Sequence, residues 1–146
     1  MEIKLEGFEP DIQAMLARLH SIDTEARKKC VQIIREVVRK FKAETVKRMP
    51  IDEGDLEKSL SEKIVEAALK DSVEGVVYVA ANALASDYAL YMHEFEYKLG
   101  PKSQLKQAAQ DVTVGRKYLE RALTENERAF GLFIYGKLRS YIEAGR

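Results

Sequence analysis

Pro50-Ile51-Asp52-Glu53-Gly54-Asp55-Leu56-Glu57-Lys58-Ser59-Leu60 is where a long helical pattern stops and strand-type sequence begins. Pro50 has no amide hydrogen and disfavours α geometry at Met49, so a helix arriving from upstream ends here. Gly54 accepts a positive φ without a Cβ clash, and the carboxylates of Asp52 and Asp55 on either side can accept bonds from nearby backbone N–H groups. The plainest reading is a helix-to-strand turn. With helix on one side and strand on the other, the chain reads as an α+β fold.

Upstream of the turn, Ala26, Cys30, Ile33, Ile34, Val37, Val38, Phe41 and Thr45 recur at three- and four-residue steps, which predicts an amphipathic helix beginning at about Thr24. Ser21 to Thr24 supplies capping residues. Further back, Ile12, Met15, Leu16 and Leu19 predict a short helix over Pro10 to His20, and alternating Ile3 and Leu5 predict a strand within Met1 to Gly7. Downstream, Leu56 to Leu69 and Val73 to Ala81 predict a β-hairpin about Lys70-Asp71-Ser72, although Glu57 to Leu69 also fits a helix. Tyr88, Tyr91, Met92 and Phe95 then fall on one face of a short helix. Glu96 to Val112, with Gly100-Pro101 and a weakly helical Ser103 to Gln110, predicts a projecting irregular arm that orders on assembly. Val114 to Glu143 predicts one final helix, with Gly131 and Gly136 marking a bend or the close approach of the first long helix.

At 146 residues the chain fits a single domain over 1–146, able to bury roughly two-thirds of its unfolded surface. One cysteine, Cys30, excludes an intrachain disulfide and, on an apolar helix face, reads as a small buried hydrophobe. No apolar run reaches membrane-spanning length, and the opening Met-Glu-Ile-Lys-Leu-Glu lacks the pattern of a signal peptide, so cytoplasmic assembly without a membrane partner is expected. The 24 basic and 24 acidic residues cancel. Their placement is uneven: residues 24–49 carry nine basic against three acidic residues, a net of +6, and residues 51–75 carry three against eight, a net of −5. Opposite segments of this kind neutralise each other within a subunit, or between subunits repeated around a ring. Arg27, Arg35, Arg39 and Lys42 on the basic side, Asp52, Glu53 and Asp55 on the acidic side, and Leu99 and Lys102 in the arm are therefore the candidate contact residues.

Chemistry-bearing patterns are sparse. The two histidines, His20 and His93, do not share a four-residue spacing, and His93-Glu94 are sequential, so their side chains should diverge on a helix. Asp52 and Asp55 have no identifiable titrating partner, and no Gly-rich phosphate loop occurs. The reading carries no enzyme, no metal and no cofactor. The basic helix lacks stacking aromatics or a base-reading motif, which leaves a small nucleic-acid or regulatory adaptor as the alternative from another class.

Taken in order, Pro50-x-Asp52-x-Gly54-x-Leu56-x-x-Ser59 after a basic amphipathic helix, then Tyr88-Ala89-x-Tyr91-x-His93-Glu94, then Gly115-Arg116-Lys117-Tyr118-Leu119-Glu120-Arg121-Ala122-Leu123, resemble the neck proteins of tailed bacteriophages, the tail-completion or head-tail joining proteins. The resemblance covers about Thr24 to Glu143. Met92-His93-Glu94-Phe95 departs from the more usual Tyr-Ala-x-x-Val-Glu-x-Gly-Thr. It implies a long helix packed on a curved antiparallel sheet, assembled in the host cytoplasm as a hexameric ring in the virion neck. Such a ring would join the tail tube to the head-closure or connector protein around an axial DNA channel. Asp52, Gly54 and Ser59 would be turn determinants, and the acidic 51–75 segment would line the channel or meet a neighbour's basic helix. A tail terminator, which stops tube growth, is the alternative within the same class.

Overall fold

A computed structural model describes residues 2–4, 12, 24–51, 55–67, 72–80 and 83–144. The expected helix over Pro10 to His20 falls outside these residues apart from Ile12, which is buried. Asp52, Glu53 and Gly54 also lie outside them.

The amphipathic stripe forms α1, Thr24–Arg48, a helix of 25 residues. Ala26, Cys30, Ile33, Ile34, Val37, Val38, Phe41 and Thr45 are all buried, as three- and four-residue spacing requires of one face. Thr45, the polar member of the stripe, donates its hydroxyl to the Phe41 carbonyl at 2.9 Å, so its burial leaves no orphan donor. The helix stops as Pro50 dictates.

The junction that follows differs from the expected hairpin strand at its start. Residues Asp55–Lys58 form one helical turn, α2, and Leu56 is buried from that turn rather than from a strand. Ser59 closes it: its backbone N–H and its hydroxyl both donate to the Leu56 carbonyl, at 3.2 and 2.6 Å. Local side-chain bonding of this kind competes with a ladder, which is why strand geometry starts only at Leu60.

Strands β2, Leu60–Ala67, and β3, Ser72–Val79, pair antiparallel from Leu60↔Val79 to Ala67↔Ser72. The short β1, Glu2–Lys4, pairs with the other edge of β3, giving the order β1-β3-β2. Period-2 alternation sends Leu60, Ile64, Val77 and Val79 into the common core. On the opposite face Lys63 lies over the Tyr78 ring, 5.1 Å from its centroid.

Four further helices complete the described chain: α3, Ala83–Glu94; α4, Pro101–Ala108; α5, Tyr118–Thr124; and α6, Glu127–Ala144. Helix α1 packs on β2 and β3 and also on α5 and α6, so one apolar stripe serves both layers. Phe41 of α1 stacks on Phe130 of α6 with centroids 6.2 Å apart.

Two expectations are corrected here. The final helix is not continuous from Val114 to Glu143: it begins at Tyr118 and breaks at Glu125-Asn126. Gly115 and Lys117 take positive φ, +133° and 60°, and donate their N–H groups to Arg48 O and His93 O instead of to a preceding helical turn. Gly131 and Gly136 both lie within α6, and nothing lies within 4 Å of a Cβ built on Gly136, so no close approach of α1 calls for the glycine there. The second correction concerns residues 96–112. The expected irregular arm, weakly helical over Ser103 to Gln110, instead carries a formed helix, Pro101–Ala108, tied by side chains to the end of α1.

Candidate functional site

The carbonyls at the end of α1 have no intrahelical partners, and this need organises the site. Met49 N bonds back to Thr45 O and Val46 O. Lys106 of α4 then brings its ammonium to Val46 O, to Met49 O at 2.7 Å and to the Glu57 carboxylate at 2.6 Å. Gln110 donates to Lys47 O, and Gly115 N donates to Arg48 O at 2.8 Å. Ser103 closes the clasp: its hydroxyl accepts from Ile51 N at 2.8 Å and donates to Ile51 O at 3.1 Å. A cation set among the last carbonyls of a helix is also favoured by the negative end of the macrodipole.

Arg48 leaves the same helix end in the other direction. Its side chain is 4% exposed and spans Glu44, at 2.8 Å, and Glu125 in the turn between α5 and α6, at 2.7 Å. Burial alone would raise the Glu44 carboxyl, but hydrogen bonds from Arg48 and Lys47 bring it below its ordinary value. Asn126 donates to Ala122 O at 3.0 Å and reaches the same Glu44 carboxylate at 3.5 Å.

The three stretches that carry the family resemblance meet around this clasp. Lys117 N donates to His93 O at 2.7 Å, and the Lys117 ammonium pairs with Glu94. Tyr118 is fully buried, donates its hydroxyl to Ala89 O at 2.7 Å and sets its ring edge-on to His93 with centroids 4.9 Å apart. Tyr97 donates to Met92 O at 2.7 Å, and burial pushes its phenol up to about 12. Arg121 braces the loop by donating to Thr113 O and Arg116 O, each at 2.9 Å.

His93 and Glu94 do not diverge as expected. His93 Nδ1 lies 3.0 Å from Glu94 Oε1, while Nε2 is buried without a hydrogen-bond partner. Burial holds the imidazole pKa below its ordinary value despite the Glu94 carboxylate, which leaves His93 neutral at physiological pH.

The remaining candidates are spread out. Pro50, Leu56 and Leu119 are buried, Ser59 is half-buried, and Asp55 opens α2. Arg27 sits 3.8 Å from Glu66 on β2, so at this point the basic helix meets the acidic segment within one chain, and Lys106 of α4 meets the acidic segment at Glu57. Arg35 and Arg39 are exposed and Lys42 is half-buried. Leu99 packs beneath Gly115, 3.7 Å from where a Cβ would stand, and Lys102 is exposed on α4.

The stripe Tyr88, Tyr91 and Phe95 faces outward, at 42%, 51% and 57% exposure, while α3 turns Ala89 and His93 inward. Tyr91 and Phe95 stack on each other 5.0 Å apart. Sequence periodicity passed over a second outward set, Leu132 and Tyr135 on α6, and the single Leu105 on α4, all exposed. Their signal was legible: Leu132 and Tyr135 are apolar residues three apart that fall off the buried stripe of Phe130, Ile134 and Leu138.

Two concavities border these residues, a groove of ≈ 530 Å³ beside Arg27, Lys28 and Arg35 and a cleft of ≈ 160 Å³ between Pro50, Tyr88, Tyr97 and Ser103, among the described residues. Among the described residues no three His, Cys, Asp or Glu side chains gather as a metal site, and no helix is long and apolar enough to cross a membrane. Comparison of the chain with protein-family models, with curated proteins and with solved structures gives no match.

Proposed function

We propose that this chain is a structural subunit of a tailed-bacteriophage neck, forming a ring that joins the tail tube to the head-closure protein around the DNA channel. One observation carries the reading beyond the motif resemblance. A tightly clasped body holds large apolar side chains outward on three helices, Tyr88 and Tyr91 on α3 with Phe95 just after it, Leu105 on α4, and Leu132 and Tyr135 on α6. Exposed apolar surface on several faces suits a subunit bordered by neighbours on more than one side. The work of such a protein is binding, with the clasp between α1, α4 and the loop before α5 keeping the outward faces in fixed relation.

The test is assembly in a phage whose gene for this chain is deleted, read by electron microscopy. Tails of normal length that fail to join heads, restored by the purified chain, are the expected result. Overlong tubes would overturn the joining role in favour of a terminator. Normal virions, with duplex-DNA affinity of the chain that falls steeply with salt, would overturn the neck reading altogether.

A further inference from the structure

We infer that the outward face of α3 on one copy docks against the outward face of α6 on the next, which assigns the lateral joint of the ring; the inference rests on the ring reading above. On α6, Arg128, Leu132, Tyr135 and Arg139 follow steps of four, three and four residues, so they form one row on the helix surface. That row is roughly 16 Å long at about 1.5 Å per residue. It places two apolar side chains between two guanidinium groups, all four exposed.

The α3 face has the complementary order. Tyr88 and Tyr91, with Phe95 just past the helix end and stacked on Tyr91, form its apolar centre, with Asp87 at one end and Glu94, followed beyond the helix by Glu96, at the other. Asp87 and Arg128 are exposed, and neither makes an ion pair within the described residues. Glu94 is held by Lys117 and by His93 Nδ1, whereas Glu96 with Arg116 and Arg139 with Glu143 are surface pairs. Pairs of this kind contribute little and exchange readily.

Charge also decides what occupies each face. Two α3 faces brought together would oppose acid to acid, and two α6 faces would oppose Arg to Arg, whereas α3 against α6 opposes acid to Arg at the ends and ring to ring in the centre. Tyr and Arg are the side chains most enriched at the anchoring points of protein interfaces. A contact between two different faces of one chain does not close on itself as a dimer. Repeated, it closes as a ring or runs on as a filament.

Native mass spectrometry of the full chain tests this with Tyr91→Asp and Leu132→Asp, both at exposed positions that leave the core untouched. Each variant alone is expected to lose assembly and remain monomeric, with the melting temperature that the wild type shows when diluted to the monomer. An equimolar mixture is expected to give a dimer of one copy of each and nothing larger, because only one intact α3 face then meets one intact α6 face. Rings that persist in either variant would overturn the assignment while leaving the ring reading in place. A wild-type chain that stays monomeric and does not assemble on isolated tails would overturn both. If Tyr91→Asp abolishes attachment to tails but leaves a homo-oligomer intact, α3 belongs to a different protein and the inference fails.

Discussion

Arg48 shows how much of this molecule hangs on single side chains. Its guanidinium is buried between Glu44 on its own helix and Glu125 on the α5–α6 turn, so removing it strips two carboxylates of their shared partner. Glu44 keeps the Lys47 ammonium and Glu125 is 47% exposed, so what is lost is the set of charged hydrogen bonds and not a wholly unpaired charge. Arg48→Met should destabilise the chain by about 2 kcal/mol in urea unfolding, and Glu125→Gln by less. His93 acts in the opposite sense. The groups facing it are Glu94, Lys117, Glu120 and the Tyr118 ring, and burial dominates to hold its folded pKa below the ordinary 6.5. As pH falls from 6.5 towards that lower value, the unfolded chain binds the proton the folded chain refuses, so stability declines with acid. His93→Gln should flatten the loss of melting temperature between neutral pH and pH 5, whatever its effect at neutrality. The contact of His93 with Glu94 was not legible in the sequence, because adjacent positions on a helix diverge at Cβ but converge when a long side chain folds back.

Helix α4 is the element whose behaviour was hardest to foresee. Pro101 after Gly100 is a good helix start, yet eight residues form a marginal helix alone. What holds α4 is tertiary: Lys106 and Ser103 meet backbone groups that α1 leaves open beyond Val46, at 57 and 52 residues' separation for Met49 and Ile51. Lys106→Met should therefore detach α4, exposing the amides of residues 101–110 to rapid hydrogen exchange while β2 and β3 stay protected. Strong protection of 101–110 in that variant would show that the clasp does not depend on the ammonium. Helix α6 offers the converse test. Gly136 is exposed in its interior with open space around the missing methyl. Gly136→Ala should stabilise the monomer by about 0.5–1 kcal/mol, through helix propensity and a less flexible unfolded chain. No gain would mean that the backbone at this position is not ordinary helix.

For the whole molecule the useful quantity is the dependence of stability on concentration. A chain that assembles through its folded state is stabilised by mass action, so the melting temperature of the wild type should rise with protein concentration. In Tyr91→Asp it should not. The amino-acid order by itself determined the α+β class, the stripe of α1 and the stop at Pro50, and it offered the pairing of β2 with β3 beside a helical reading of Glu57 to Leu69. Each of these follows from spacing along the chain or from the missing amide of proline, so it is written in neighbouring residues. Only the tertiary structure decided where the final helix divides and what residues 96–112 do. Gly115 and Lys117 leave helical geometry because their amides bond to Arg48 and His93, and the α5–α6 turn is held where Glu125 reaches the Arg48 guanidinium. Those partners lie far away in sequence. Backbone groups must be satisfied by whatever the fold brings within reach, and no local pattern records that choice.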